Sequence, residues 1–384
     1  MRVLIVSKVH THPTTMGNSF AILAQAEVLK RLGCDVQFLY IQERGLKASA
    51  QQYDDILLKM KGYWGDKLHV LQTPKYVRLF ENIRNIFFKK CRDNHTNLYN
   101  MYVDAITPKV KALQQEYHFD ACLVQYIYMT KLYDHVDFHK KAIFTHDVLA
   151  YKNLIVGENV QWYDAAQEAR ALQKCTDVFA IQEEEMHYFK VLSPRSRHYN
   201  VLTPYKYHPQ PIAGNKNIVF LSGNNAFNQN GLRWFIENVF PLIRQKHEDA
   251  KLLIAGGICK VIKGLYDNIE GIVLKGFVGD PREFFALGDV AINPTYQGTG
   301  LKIKTFESIA NDKVTLVHPH SMVGIYDKQN APLFSSDKPQ EWADYLDSIW
   351  GPPERIAEIK KHNKAYIHSL NDFIEGEYKR FLEA

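Results

Sequence analysis

The residues best suited to chemistry lie in one run, Asn293-Pro-Thr-Tyr-Gln-Gly-Thr-Gly-Leu-Lys-Ile-Lys-Thr-Phe-Glu307. It follows the apolar run Val290–Asn293, which reads as a strand, and leads into a helix ending near Ala310. Gly298 and Gly300 let the backbone come close to a ligand. The helix N-terminus that follows offers N–H groups and a partial positive charge, which suits a phosphate. Lys302, expected in the first turn, opposes the helix dipole and makes better sense beside an anion. Glu307 lies five residues later, where a carboxylate could accept hydrogen bonds from a ribose diol. The same residues also fit a plain turn, solvated lysines and an i,i+3 pair between Lys304 and Glu307. Spacing alone leaves both readings open. A third glycine completing G-x-G-x-x-G is missing, and there is no Walker A loop.

Two smaller constellations lie in the first half. Gly17-Asn18 opens a helix, so its backbone amides could touch a phosphate or an acceptor; an ordinary loop with an Asn N-cap fits equally. His146-Asp147 follows the strand-like Ala142–Thr145 and so sits at a carboxyl edge, where ligands bind in open α/β sheets. Alone, such a pair is more often structural. His10 with His12, and His318 with His320, have the spacing of metal-ligand pairs. Neither has a third ligand in matching context, so no metal is expected. His318-Pro-His320, which follows a strand, better fits polar contact with a ligand.

These residues need strands and helices to hold them. Val3–Val6 is apolar throughout, as in a strand buried on both faces. From Asn18, the residues Phe20, Leu23, Ala24, Ala26, Val28, Leu29 and Leu32 recur at helical spacing and stop at Gly33. Val36–Tyr40 is the next strand, which completes a βαβ unit. Further strands are expected at Ala121–Gln125, Ala142–Thr145, Val178–Ile181 and His198–Leu202. The polar segment Pro204–Asn217 breaks the rhythm. The alternation then restarts with strands at Ile218–Ser222, Leu252–Ala255, Ile272–Leu274, Val290–Asn293 and Val314–Val317. A helix is expected over Asn230–Lys246, and Glu341–Glu383 reads as mostly helical. The fold class is therefore α/β, with two Rossmann-like domains facing across a cleft. Their expected limits are 1–208 and 209–384, the terminal helices packing back on the first domain.

At 384 residues the chain exceeds one ordinary core, and 46% hydrophobic with 23% charged residues excludes a mainly disordered chain. The opening residues lack the apolar region and cleavage site of a signal peptide. No stretch approaches 18 uninterrupted apolar residues. Five scattered cysteines without a C-x-x-C pair fit a reducing cytoplasm. Net charge is only +5, too weak to argue for nucleic acid. Residues 1–210 hold 27 Lys/Arg against 21 Asp/Glu, the remainder 20 against 21. Within that first half, Lys59–Arg92 carries nine basic and two acidic residues interleaved with aromatic and aliphatic ones. Such a segment can lie on an anionic membrane surface or be an amphipathic helix with a solvated face.

The run GTGLKIKTFESIANDKVTLV resembles the donor-binding segment of glycosyltransferases with two Rossmann-like domains, the GT-B fold. Within them it is similar to the GT4-type retaining family, in a subset with G-T-G-L-K-x-K-x-x-E. Val219-Phe-Leu-Ser-Gly-Asn-Asn with Asn230-Gly-Leu-Arg-Trp-Phe looks like the start of that family's second domain. Lys251–Gly256, Val273–Phe277 and Gly288–Pro294 follow in the expected order. The likeness covers most of 217–330, and the first half only through Gly17-Asn18 and His146-Asp147. Two departures stand out. Where the family often has a first glutamate near the sugar, this chain has Thr299. The loop from Gly223, where many members carry an Arg or Lys, has no cation before Arg233.

The resemblance implies a metal-independent, retaining hexosyltransferase that uses a nucleotide sugar, UDP-sugar favoured over GDP-sugar, and no other cofactor. The absence of any Asp-x-Asp fits, since a metal-dependent transferase holds its ion with that motif. Glu307 would hold the ribose, and Lys302 with the Gly300 and Leu301 amides the diphosphate. Gly17, Asn18, Gly223 and Thr299 would line the donor, and His146 and Asp147 the reacting sugar. The acceptor would be a glycan or lipid-linked sugar in surface polysaccharide or glycoconjugate synthesis. The location would be cytoplasmic, with a peripheral place on the inner face of the membrane left open. A catalytically silent GT-B subunit that activates a partner transferase is the alternative, and an epimerase a weaker one.

Overall fold

The computed structural model describes residues 1–14, 17–43, 50–73, 98–99, 101–150, 163–266, 268–298 and 300–384. Two compact units divide the chain: Met1–Thr203 with Ile374–Ala384, and Pro204–Phe373.

The first unit is built on a sheet of seven parallel strands in the order β3-β2-β1-β4-β5-β6-β7. These are Arg2–Ser7, Asp35–Glu43, Leu68–Thr73, Ala121–Gln125, Lys140–Phe144, Asp177–Ala180 and Arg197–Asn200. β1, β4 and β6 read as apolar runs because both faces of a parallel sheet are covered by helices. The helix Gly17–Arg31 buries Ile22, Ala26, Val28 and Leu29. It stops where Gly33 turns left-handed at φ +81°, with Gly33 N donating to Lys30 O and Cys34 N to Leu29 O. The returning segment Ile374–Ala384 sets Tyr378 and Phe381 against Phe179, while Phe381 also meets Tyr199 edge-on. Glu377 accepts from Asn200 N at 2.8 Å.

The second unit repeats the plan with six parallel strands, β10-β9-β8-β11-β12-β13. They span Asn217–Leu221, Lys251–Ala255, Ile272–Gly276, Val290–Asn293, Val314–Val317 and Leu333–Ser335, from β8 to β13. Counted from its own first strand, the order is 3-2-1-4-5-6, as in the first unit's core, which is the doubly wound pattern. The core packs Phe220, Ile254 and Ile292 from the sheet against Phe235, Phe240 and Trp342 from the helices.

Several expectations need correction. β3 and β13 were not foreseen: β3 is a half-exposed edge strand and β13 only three residues long. The helix expected from Asn230 begins at Ala226, capped by the Asn225 side chain, and passes through a wider turn over Phe235–Val239. The terminal helical stretch is two helices, Pro339–Trp350 and Pro353–Glu383, parted at Gly351-Pro352.

Candidate functional site

In the second unit the loops after β8, β9 and β11 meet at the carboxyl edge. β8 and β11 are the neighbours at which the strand order reverses, where open α/β sheets bind ligands. The approach is close. Gly256, after β9, lies at φ +94°, and a Cβ there would stand 2.3 Å from Ser222 O. Gly298, at φ +104°, lies so near the Phe227 ring that a Cβ would come within 2.9 Å. At Gly256 a Cβ would meet backbone and at Gly298 an aromatic ring, and both φ values strain any residue but glycine.

Lys302 differs from expectation. The helix is Ile303–Ala310, and Lys302 is its N-cap residue, with non-helical dihedrals, rather than a residue of its first turn. That conformation lets the ammonium fold back onto its own loop, donating to Gly298 O at 3.2 Å and Gly300 O at 3.4 Å, largely buried. A buried cation is thus held among the glycines that precede the helix. His320 Nε2 donates to Gly298 O at 2.8 Å, and His320 N to His318 Nδ1 at 3.2 Å. Burial lowers both imidazoles, so each is neutral near pH 7. His320 therefore fastens the loop.

Lys304 does not spend its ammonium on the i,i+3 pair with Glu307. It donates to Asn228 Oδ1 at 2.7 Å, and Asn228 Nδ2 donates to Gly223 O at 3.0 Å. A cation thereby reaches the very loop that carries none in its own sequence. Burial pulls Lys304 down to about 8, against the opposing pull of Glu307, while Lys302 lowers it further. Burial pushes the Glu307 carboxyl up, and Lys304 draws it back. Glu307 is half-buried; next to it, Phe306 stacks on Tyr205 with ring centres 5.6 Å apart. Asn293 Nδ2 ties the end of β11 to Thr305 Oγ1 at 3.0 Å. Leu301 precedes the cap, half-buried. Thr299 lies outside the described residues.

In the first unit the corresponding edge pairs Lys8, just after β1, with Glu43 at the end of β2, and gathers neutral polar groups around His146. The helix starts at Gly17, so Asn18 occupies its first turn instead of capping it. Asn18 Oδ1 accepts from Ser19 N at 2.9 Å, and its Nδ2 donates to the Tyr126 hydroxyl at 3.0 Å. Tyr126, just after β4, stacks on His146 with ring centres 4.4 Å apart. His146 meets Gln125 Oε1 through Nε2 at 2.7 Å, and burial takes its pKa down to about 3. Asp147 is buried beside it. Glu168 holds the loop by accepting from Leu149 N at 2.7 Å. Burial raises Glu168 to about 7, against the Leu149 and Tyr188 hydrogen bonds. Asn18, next to Gly17, and His146 thus meet around Tyr126, a residue without a sequence signal of its own, as are Asn228 and Gln125.

Among the described residues no group of three or more His, Cys, Asp or Glu is arranged to hold a metal ion. Nor is any described helix long and apolar enough to cross a membrane.

Residues 215–351 match the family model Glycosyl transferases group 1. An uncharacterized 44.6 kDa protein in the cps region of Klebsiella pneumoniae is 24% identical over 340 residues, 81% of each chain. Among solved structures, TarM of S. aureus superposes with a TM-score of 0.69 at 11% identity, over all of this chain and 98% of its own. Anabaena HepE in complex with UDP gives 0.67 at 12%, over all of both chains. Sucrose-phosphate synthase from Thermosynechococcus elongatus gives 0.65 at 14%, over all of this chain and 98% of its own. At these identities the structural likeness establishes the fold, which is GT-B, while the family match is confined to 215–351.

Proposed function

We propose that this GT-B glycosyltransferase moves a hexose-type sugar from a nucleotide sugar to a glycan or lipid-linked acceptor, with retention and without a metal ion. The observation that carries the reading is the meeting of Lys302, Lys304 and the Gly298–Gly300 loop with the Gly223 loop at the carboxyl edge of β8 and β11. Breaking the bond between sugar and diphosphate leaves negative charge on the departing phosphate. Fixed cations and helix N-H groups stabilise that charge with no reorganisation when it forms. Lys302 with the Gly300 and Leu301 backbone would take the diphosphate, and Glu307 the ribose hydroxyls. Thr299 would lie toward the sugar.

His146 and Asp147, with Gly17 and Asn18, would contact the sugar or acceptor. The acceptor hydroxyl then bonds to the sugar carbon as the sugar–phosphate bond breaks, and the leaving phosphate takes the hydroxyl proton. HepE in complex with UDP supports a uridine donor over a guanosine one. The relative in a cps region supports a role in surface polysaccharide or glycoconjugate synthesis.

A place on the inner face of a membrane fits the described part of the basic segment. Lys59 and Lys61 are exposed on the helix Ala50–Trp64, and Leu58 beside Lys59 is 70% exposed. The rest of that segment, 74–92, lies outside the described residues.

The second reading, a silent subunit, draws on Thr299 and on the missing cation in the Gly223 loop. Lys304 weakens it, because it brings a cation to that loop. A donor screen separates the two: the purified chain is incubated with UDP-, GDP- and ADP-sugars, with and without EDTA, and nucleotide release is followed. UDP release that EDTA leaves unchanged is expected. If no nucleotide is released and none raises the melting temperature, the enzyme reading falls. A bound nucleotide at 100 times its Kd would add about 2.7 kcal/mol.

A further inference from the structure

We propose that Gln125 is a positioning residue that decides which nitrogen of His146 carries the proton, and that Gln25 holds Gln125 to this task. The inference deepens the role given to His146 above and rests on it. Gln125 ends β4 and Gln25 lies on the helix Gly17–Arg31, each only 1% exposed. Gln125 Nε2 donates to Gln25 Oε1 at 2.9 Å, which turns Gln125 Oε1 toward His146 Nε2 at 2.7 Å. An amide oxygen only accepts, so in this arrangement His146 bears its proton on Nε2 and keeps a lone pair on Nδ1.

The rest of the surroundings fixes the ring itself. Tyr126 stacks on one face at 4.4 Å with the planes 23° apart, and Phe144 meets the ring at 4.6 Å and 66°. Asn18 holds the Tyr126 hydroxyl. His146 and Tyr126 both adopt left-handed backbone, at φ 63° and 70°. Non-glycine residues keep such conformations only where their surroundings impose them, and they gather at working sites. The strain places an aromatic platform and an imidazole side by side at the ends of β4 and β5. His146 then presents Nδ1 to a substrate hydroxyl as an acceptor with one orientation and one tautomer.

The full chain, labelled with 15N-histidine and assigned by comparison with His146→Gln, reads the tautomer directly from the ring nitrogen shifts. The wild type is expected in the Nε2–H form. Gln125→Met, which offers no oxygen, should mix the tautomers and lower kcat about tenfold with the donor KM unchanged. Gln125→Glu still offers an oxygen and should keep the Nε2–H form and most of the rate at pH 8. Gln25→Met should shift the tautomer in the same direction as Gln125→Met. An Nδ1–H ring in the wild type overturns the proposal, and so does an equal loss of rate in Gln125→Met and Gln125→Glu. Full rate in His146→Gln would instead remove the role of His146, while the spectra still decide the tautomer.

Discussion

The two units share one topology and differ in what they place at the sheet edge. In the second, glycines, two lysines and Asn228 gather where β8 and β11 part. In the first, the matching point between β1 and β4 carries Gln125, Tyr126, Asn18 and a neutral His146. One edge holds lysine ammoniums among glycines; the other pairs its Lys8 with Glu43 and sets neutral amides and aromatics around His146. A doubly wound sheet fixes where a ligand goes; the side chains at its loops fix which kind. The difference also explains why function was easier to read in one half. Glycine and lysine beside a helix start announce a phosphate locally, whereas amides and aromatics do not.

The sharpest way to break this contrast is to remove charge from the charged edge. Lys302→Ala should lower kcat by about 10² to 10³, or about 2.7–4 kcal/mol of lost stabilisation of the departing phosphate. Steady-state rates with the preferred donor check it, and a change under threefold would sink the charged role. Lys304→Met should weaken UDP binding about tenfold in titration calorimetry, a shift of about 1.4 kcal/mol. Lys304 sheds its proton as pH rises through about 8, so wild-type affinity should decline above that pH. Lys304→Met should lose that decline; if it declines alike, another group is responsible.

The first unit's edge gives a pH test of opposite character. His146 has a folded pKa of about 3, below the 6.5 of the unfolded chain. The unfolded chain therefore takes up the proton first, and this group withdraws stability as pH falls from 6.5 toward 3. In the same range the folded ring stays neutral, so kcat/KM should show no inflection near 6.5 that disappears in His146→Gln. Finding one would mean that His146 itself becomes charged in the folded chain. The smallest effect is expected away from both edges. Lys59→Glu with Lys61→Glu should reduce co-sedimentation with vesicles containing anionic lipid, by about 1 kcal/mol per charge, and leave neutral vesicles unaffected.

What the sequence made legible follows the same division. Strands buried on both faces, such as Val3–Val6 and Val290–Asn293, carry unbroken apolar runs and were placed within a residue or two. β3 mixes His69 and Gln72 with its apolar residues because an edge strand needs only one covered face. β13 is too short to have a period. At the candidate site, Gly298, Lys302 and Glu307 sit within ten residues, so their association is visible in one line of sequence. Gln25 and Gln125 lie 100 positions apart, and Asn228 and Lys304 lie 76 apart. Such pairs arise only when the sheet assembles. Lys302 was assigned to the helix because dihedral angles are not written in residue types; its carbonyl partners decide that it stays outside.

The return of Ile374–Ala384 to the first unit bears on the order in which the protein comes into being. Residues 204–373 leave the ribosome before Tyr378 and Phe381 do, so the second unit has its whole core while the first still lacks part of its own. Phe179 and Tyr199 wait, uncovered, for a segment made almost two hundred residues later. The half of the protein that is synthesised first is therefore the one completed last.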